Sequence, residues 1–240
     1  MDEPRFFVAG ATGFTGREVV RLARERGIAT AAHVRPNAQA LPEWCERFGA
    51  MGAAVDVTPW EDGAMTAALR AWRPTHVFAL LGTTRARSRT EQRETGRETS
   101  YETVDYGLTM LLYRALDEAL GAVRPRFVYL SSAGLSDREP SNAYLRARYR
   151  VEQALRAGGL PFTIARPSII TGPDRDDPRP GERAGAVVLD GALALVGALG
   201  GKKLRDRYRS TSNTELAAAL IRIALDPDCE GATVASEGLR

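Results

Sequence analysis

Lysine, cysteine and long apolar runs are all scarce in this chain. Lysine stands only at positions 202 and 203, so arginine provides nearly all of the 33 basic residues. Cys45 and Cys229 lie far apart and lack the spacing of a metal site, which favours a reducing, cytoplasmic setting. No run of about 18 apolar residues occurs, and the first residues lack an apolar stretch. We therefore expect neither a transmembrane helix nor a signal peptide, and no membrane partner.

Charge and size add two further expectations. The formal net charge is +3, which is too small to indicate a nucleic-acid partner by itself. The hydrophobic content of 44% and the charged content of 26% are typical of a globular domain. The 240 residues carry no internal repeat and no low-complexity linker, so we predict a single domain over residues 1–240.

Strand-like and helix-like segments alternate along most of the chain. Apolar runs of strand length occur at residues 5–9, 28–34, 53–57, 75–81, 126–130 and 161–165. Segments with helix-like patterns lie between and after them, at residues 17–26, 41–48, 60–72, 100–120, 143–157, 184–199 and 216–225. This alternation predicts an α/β fold with a Rossmann-type, doubly wound parallel sheet flanked by helices. Ser212 and Glu215 have the spacing of a capping box, which predicts that the last helix begins beside them.

The first predicted strand runs directly into a glycine-rich turn and then into a helix. In this context Gly10 permits a tight turn, Gly13 lets the backbone approach a pyrophosphate, and Gly16 lets the helix pack closely on the strand. The free N–H groups and the positive dipole end of the helix favour phosphates. The alternative is an ordinary glycine turn without a ligand. We predict a dinucleotide site whose first segment is formed by Gly10, Thr12, Gly13, Phe14, Thr15, Gly16 and Arg17.

The end of the second predicted strand bears on the choice between NAD and NADP. NAD-binding sites of this type place an acidic residue here for the ribose 2′-OH, but this chain has His33 and Arg35 and no Asp or Glu. A guanidinium can bind a 2′-phosphate bidentately, so Arg35 favours NADP over NAD, with Arg17 as a second cation. Asp56 and Val57, at the end of the third strand, are expected beside the adenine. His33 itself is interpreted as a strand-end residue rather than a ligand.

Two polar stretches interrupt the alternation after strands. Residues 83–99 follow the fourth strand and are rich in arginine and glutamate, and residues 172–210 follow the sixth and begin with many Pro, Asp and Arg residues. Loops at the carboxyl ends of parallel strands hold ligands in open α/β sheets. These loops, with a small C-terminal helical region, are therefore predicted to form the side of the site that binds a small-molecule substrate.

A serine and a tyrosine lie where they can converge beside a nicotinamide. Ser132 follows the fifth strand, and Tyr144 and Arg148 lie four residues apart on one face of the next predicted helix. The glycine turn, the serine and the Tyr-x-x-x-basic pattern occur in the order found in the short-chain dehydrogenase/reductase superfamily, which this chain resembles. In that superfamily the tyrosine exchanges a proton with the substrate oxygen and the serine orients the carbonyl. A lysine binds the nicotinamide ribose and lowers the pKa of the tyrosine.

The chain departs from the superfamily pattern at the lysine, whose position is occupied by Arg148. Arginine keeps the positive charge and can bind a ribose diol, but its larger planar group makes the exchange non-conservative. The resemblance implies that Tyr144 is the acid/base, that Ser132 polarises the carbonyl and that Arg148 replaces the lysine. From the residues alone, Ser132 capping a strand, Tyr144 packing in the fold and Arg148 facing solvent remain alternatives.

Four shorter motifs resemble the atypical branch of the superfamily that the Tat-interacting-protein oxidoreductases typify. They are Leu81-Gly82-Thr83-Thr84-Arg85, Tyr129-Leu130-Ser131-Ser132, Arg166-Pro167 and Arg179-Pro180-Gly181-Glu182, and the similarity extends over nearly the whole chain. The resemblance implies that Leu81, Gly82 and Thr83 line the cofactor site and that Pro167 lies near its nicotinamide end.

Three functions are compatible with this pattern. The first is an NADP(H)-dependent oxidoreductase acting on a small carbonyl or alcohol. The second is a non-catalytic NADPH-binding regulator or redox sensor, which the missing lysine and the arginine-rich loop after the fourth strand motivate. The third is a nucleotide-sugar epimerase or dehydratase, although such relatives typically have a longer region after the position of Arg166. The helices predicted at 100–120 and 143–157 are candidate surfaces for a homodimer.

Overall fold

A parallel sheet forms the centre of the fold in the computed structural model, which describes residues 3–38, 40–83, 100–120, 122–172 and 210–240. Within these residues its seven strands are β1 (Arg5–Ala9), β2 (Ala29–His33), β3 (Ala54–Asp56), β4 (His76–Ala79), β5 (Arg126–Leu130), β6 (Phe162–Arg166) and β9 (Thr233–Ala235). Their order is β3-β2-β1-β4-β5-β6-β9, and every pairing is parallel. A separate parallel pair is formed by β7 (Ile170–Thr171) and β8 (Thr211–Ser212). The predicted Rossmann-type, doubly wound sheet is confirmed.

Helices cover both faces of the sheet. They are α1 (Gly16–Glu25), α2 (Leu41–Ala50), α3 (Asp62–Trp72), a π-helix (Tyr101–Leu108) that continues as α4 (Thr109–Leu120), α5 (Ala143–Ala157) and α6 (Asn213–Leu225). Side chains of β1 alternate between the two faces: Phe6 and Val8 pack with α1 and α6, whereas Phe7 and Ala9 pack with α3, α4 and α5. Burial on both faces explains why the inner strands are continuous apolar runs.

The order of the strands reverses between β1 and β4, which are neighbours in the sheet. The chain leaves β1 toward β2 on one side and leaves β4 toward β5 on the other. A crevice opens at the carboxyl ends of strands at such a switch point, and ligands of open α/β sheets bind there. The segments that follow β1 and β4 are therefore the two walls of the expected site.

The helix predicted at residues 100–120 is not one regular helix. Its first eight residues form the π-helix, in which the wider turn breaks the α-helical spacing, and only the following part is α-helical. The edge strand β9 was not expected either, because three residues carry too little periodicity to indicate a strand. The helix predicted at 184–199 and most of the two predicted substrate loops lie outside the described residues.

The capping box at the start of α6 is confirmed. The Ser212 hydroxyl accepts the Glu215 N–H at 3.1 Å, and the Glu215 carboxylate accepts the Ser212 N–H at 2.9 Å. The helix begins at Asn213, earlier than the apolar pattern from residue 216 predicts, because the cap satisfies the first backbone donors. None of the helices in the described ranges is long and apolar enough to cross a bilayer.

We expect the stability of the protein to fall between pH 7.5 and pH 5 through His76, the first residue of β4. Burial, and then the nearby Arg126, lower the pKa of His76 from 6.5 to about 4. The unfolded chain therefore takes up a proton as the pH falls through 6.5, whereas the folded chain stays neutral at this site. The loss at pH 5 is about 2 kcal/mol.

Urea unfolding at pH 7.5 and at pH 5 measures this loss, with His76→Gln as the non-titrating variant. Part of the slope remains in the variant, because burial also lowers the pKa of His33. An unchanged pH dependence in His76→Gln would contradict the assignment.

Candidate cofactor cleft and active site

The glycine turn after β1 is packed too tightly for side chains at two of its positions. Gly10 has a φ of +82°, and a Cβ there would lie 2.5 Å from the Leu80 carbonyl oxygen, which follows β4. At Gly16 a Cβ would lie 2.1 Å from the Gly10 carbonyl oxygen, so the first turn of α1 sits directly on the glycine turn. Gly13 N–H donates to the same carbonyl at 3.0 Å. The turn therefore brings the N-terminus of α1 to the end of the sheet, as a phosphate-binding turn requires.

The far end of the chain supports this turn. Asn213, the first residue of α6, donates from its side-chain amide to the Phe14 carbonyl at 3.2 Å. The Thr214 hydroxyl contacts the Glu18 carboxylate of α1 at 3.2 Å. The C-terminal helix thus holds the glycine turn in place through a polar contact that no local sequence pattern indicates.

A cleft opens between the glycine turn and the segment after β4. Its walls come from β2, the end of β4 and the π-helix as well as from the turn, and its lining residues are Gly10, Thr12, Gly13, His33, Arg35, Trp60, Leu80, Leu81, Gly82, Thr83, Val104 and Leu108. Seven of the predicted cofactor residues are among them: Gly10, Thr12, Gly13, Arg35, Leu81, Gly82 and Thr83. The structure thus brings residues separated by more than 70 positions to one cleft at the switch point of the sheet.

The other residues predicted to bind the cofactor lie outside this lining. Thr15, Gly16 and Arg17 are buried at the start of α1, and the Arg17 guanidinium carbon lies 5.5 Å from the centre of the Phe14 ring. At the end of β3, Asp56 accepts the Thr58 hydroxyl at 2.8 Å and the Thr58 N–H at 3.3 Å, while Val57 is exposed. Pro167 is buried and its carbonyl accepts the Ala133 N–H at 2.9 Å. Their roles in binding remain predictions.

His33 lies at the end of β2, as expected, and it also lines the cleft. Its Nε2 lies 2.9 Å from the Thr58 carbonyl oxygen, and its ring meets Trp60 edge to face at 4.6 Å. Burial lowers the pKa of His33, although the Thr58 carbonyl and Asp56 oppose the change. A neutral imidazole adds no charge here, so Arg35 brings positive charge to this end of the cleft, as recognition of a 2′-phosphate requires.

Tyr144 and Arg148 meet on one face of α5. Asn142 caps this helix by accepting the N–H groups of Tyr144 and Leu145 at 2.9 and 3.2 Å. The Arg148 guanidinium carbon lies 5.3 Å from the centre of the Tyr144 ring, and Tyr101 packs edge to face on the same ring at 5.3 Å. The predicted i, i+4 pair is therefore present, with the cation over the aromatic face.

The Arg148 side chain is buried rather than solvated. One terminal nitrogen, Nη2, donates to the Leu81 carbonyl at 3.0 Å and to an Asp105 carboxylate oxygen at 2.8 Å. The other, Nη1, donates to the Leu130 carbonyl and contacts the Tyr129 hydroxyl at 3.4 Å. Arg148 thus joins the tyrosine to the Leu81 wall of the cleft, which rules out the interpretation of this residue as a solvated helix position.

Ser132 lies just past β5, and its hydroxyl donates to the Ala133 carbonyl at 3.2 Å. The preceding Ser131 is the more tightly held residue, since its hydroxyl donates to the buried Glu152 carboxylate at 2.6 Å. Burial acts against ionisation of Glu152, but hydrogen bonds from Arg166, Ser131 and Arg156 hold the pKa of this carboxyl below its ordinary value. Glu152 lies on α5, and it therefore links Ser131 to this helix and to Arg166 at the end of β6.

Two features of the cleft fit a bound dinucleotide. Gly10 and Gly13 line the cleft without side chains, next to the N-terminus of α1, whose free N–H groups favour a phosphate. The Arg148 side chain also has a buried donor, Nε, without a hydrogen-bond partner among the described residues, and Nη2 of the same side chain would lie 2.7 Å from a Cβ at Gly82. Within the residues described, the nucleotide would lie between the glycine turn and Leu81–Thr83, with Arg35 at its adenosine end.

Sequence reasoning missed Asp105, the buried partner of Arg148. It also missed His33, Trp60, Leu80, Val104 and Leu108 as cleft residues. Asp105 falls at helical spacing from Leu108 and Leu112, so a carboxylate on an otherwise apolar stripe was the available signal.

Comparison with known proteins gives an independent indication of nucleotide binding. A family model described as NAD(P)H-binding matches residues 10–223. No curated protein sequence matches the chain.

Solved structures with the same fold include both reductases and epimerases. UDP-glucose 4-epimerase from Thermotoga maritima is 20% identical with a TM-score of 0.60, over 92% of this chain and 73% of that one. An isoflavone reductase is 16% identical with a TM-score of 0.63, over 97% of this chain and 69% of that one. AtPrR2, solved with NADP+ and (+)-pinoresinol, is 16% identical with a TM-score of 0.64, over 98% and 70%. At these identities the likeness shows the fold.

Proposed function

Because the chain belongs to the NAD(P)H-binding family, we propose that it is an NADP(H)-dependent oxidoreductase of the atypical short-chain dehydrogenase/reductase type. Its substrate in this proposal is a small carbonyl or alcohol. Within that type, we assign the chain to the branch that the Tat-interacting-protein oxidoreductases typify. The motifs at Leu81–Thr83, at the end of β5 and at Arg166-Pro167 support this assignment. One observation carries the proposal: the Arg148 guanidinium packs on the Tyr144 ring and donates a hydrogen bond to the Leu81 carbonyl in the cleft wall.

Each side chain then has a distinct task in carbonyl reduction. A bound NADPH supplies the hydride that reaches the carbonyl carbon. The Tyr144 hydroxyl donates the proton that the carbonyl oxygen gains, so that hydride and proton together convert the carbonyl to an alcohol. The Ser132 hydroxyl donates a hydrogen bond to the same oxygen and orients it. The Arg148 guanidinium packs over the Tyr144 ring, with its carbon 5.3 Å from the ring centre, and so holds the tyrosine in place on α5.

Deuterium transfer tests this reaction. The protein is incubated with NADPH deuterated at C4 and with a panel of aldehydes and ketones, and the products are analysed by mass spectrometry. An alcohol that has gained deuterium supports the proposal. Saturable NADPH binding without any labelled product points to the alternative, a non-catalytic NADPH-binding regulator, which the involvement of Arg148 in protein contacts favours. In a separate incubation with a nucleotide sugar, formation of its epimer, resolved by chromatography because the mass does not change, points to an epimerase.

Arg35→Ser is expected to weaken NADPH binding at least about tenfold while leaving NADH binding unchanged, since two charge-assisted hydrogen bonds to the 2′-phosphate are lost. Arg35 lines the cleft just after β2, where the adenosine ribose of a bound dinucleotide lies. Fluorescence titration of both nucleotides measures the effect, with Arg26→Ser, at an exposed position just after α1, as a control. An equal loss for NADPH and NADH would show that Arg35 does not read the phosphate.

A further inference from the structure

The four terminal N–H groups of Arg148 bind three separate parts of the fold. Nη1 binds Leu130 at the end of β5, and Nη2 binds Leu81, two residues past the end of β4. These strands are hydrogen-bonded neighbours in the sheet. The third part is the π-helix, through Asp105. One guanidinium therefore links the ends of two strands and a helix. This requires several donors in fixed directions, which the planar guanidinium provides.

Asp105 holds the other end of the segment Leu81–Thr83, which forms one wall of the cleft. It is completely buried, and its second carboxylate oxygen accepts the Thr83 N–H at 3.0 Å. Arg148 thus binds the carbonyl of Leu81 and Asp105 binds the amide of Thr83, while the two side chains pair with each other at 2.8 Å. Both ends of the Leu81–Thr83 segment, which lines the cleft, are fixed by one buried ion pair.

Gly82 shows how closely this segment lies on the pair. A Cβ at Gly82 would be 2.7 Å from Arg148 Nη2 and 3.5 Å from the Asp105 carboxylate. The arginine is 5% exposed and its guanidinium is held by its acceptors, so it has little freedom to move aside. The observed position of the arginine therefore requires glycine at residue 82.

We propose that Asp105 and Arg148 are a positioning pair that shapes the Leu81–Thr83 wall of the cofactor cleft, with Arg148 acting through the backbone rather than as a lysine-like ligand of the nicotinamide ribose. The proposal rests on the function proposed above, in which this cleft takes NADP(H). A lysine ammonium has a single nitrogen and cannot span acceptors on two strand ends and the π-helix at once.

Arg148→Lys separates this role from direct ribose binding, because it restores the residue of the superfamily pattern. If Arg148 acts as a positioning residue, the Kd of the Arg148→Lys variant for NADPH rises about tenfold or more, because hydrogen bonds to a buried charge are lost. Arg146→Lys is the matched control on the same helix; this side chain is exposed and donates to the Ser141 carbonyl at 3.4 Å. Equal or tighter NADPH binding in Arg148→Lys would overturn the proposal.

Gly82→Ala, made in the wild-type and in the Arg148→Lys background, provides a coupling test. The added methyl group meets Nη2 in the wild type, whereas lysine has no atom equivalent to it. The loss of NADPH affinity should therefore be several-fold smaller in the lysine background. Equal losses in the two backgrounds would count against the pair.

Amide hydrogen exchange of the nucleotide-free protein gives a readout that does not depend on NADPH. Arg148→Lys and Asp105→Asn are expected to speed exchange at Thr83 at least about tenfold, with β4 and β5 protected as in the wild type. A uniform increase across these strands would show a general loss of stability and overturn the proposal. If the wild-type protein binds no nucleotide, the proposed function fails, but the exchange pattern still decides whether the pair holds this wall.

Discussion

Tyr144→Phe is expected to lower NADPH-dependent carbonyl reduction by about 100-fold or more, because general acid catalysis contributes about that much. The variant removes only the hydroxyl. The phenylalanine ring can keep the contacts with the Arg148 guanidinium and the Tyr101 ring, each at 5.3 Å in the wild type. Affinity for NADPH should therefore remain within about twofold of the wild type, a change well below the cost of a lost charged hydrogen bond.

Tyr149→Phe is the matched control for this experiment. Tyr149 lies on the same helix, and its hydroxyl donates to the Asp137 carbonyl at 3.2 Å. Steady-state rates with the carbonyl found in the deuterium experiment, together with NADPH titration, measure both variants. Full activity in Tyr144→Phe would remove this residue from the reaction, whereas equal losses in both variants would indicate a structural effect of the helix.

Gly16→Ala is expected to abolish NADPH binding at micromolar nucleotide and to reduce the free energy of unfolding by about 3 kcal/mol, near the upper end of typical overpacking costs. The new Cβ would lie 2.1 Å from the Gly10 carbonyl oxygen and 2.9 Å from the Ala11 Cα. Both neighbours are backbone atoms, so α1 must move away from the glycine turn. The helix N-terminus then no longer meets a phosphate held by that turn.

Gly49→Ala provides the control for the same chemical change. Gly49 lies in α2 and is exposed, and outside its own helix no atom of the described residues lies within 4 Å of an added Cβ. Alanine there should stabilise the protein by up to about 1 kcal/mol through its higher helix propensity. Urea unfolding and NADPH titration compare the two variants; normal NADPH binding by Gly16→Ala would contradict the packing described for the glycine turn.

Local signals predicted the part of the site that follows β1. A strand, a glycine turn and a helix are consecutive in the chain, so close packing of the helix at Gly16 on the strand was predicted, whereas the contact of Gly16 with the Gly10 carbonyl comes from the structure. Tyr144 and Arg148 were likewise placed on one helix face by their i, i+4 spacing, and the structure brings them together.

The partners of Arg148 were not predictable in the same way. Its acceptors at Leu81, Asp105 and Leu130 lie on three elements that meet only through the strand order, in which β5 is next to β4. Asp105 left one signal, as a carboxylate at helical spacing from Leu108 and Leu112, but the sequence did not indicate that its segment would form a π-helix. The contact between Asn213 and the glycine turn spans almost the whole chain and depends on how α6 packs on α1.

In the proposed function, the cleft between the glycine turn and Leu81–Thr83 binds NADP(H). Titration of the wild-type protein with NADPH and, separately, with NADH tests it most directly, using quenching of tryptophan fluorescence, to which Trp60 in the cleft contributes. We predict saturable NADPH binding at least about tenfold tighter than NADH binding, the preference that a bidentate 2′-phosphate contact at Arg35 provides. Failure to bind either nucleotide would contradict the claim, and tighter binding of NADH would contradict the assignment of NADP.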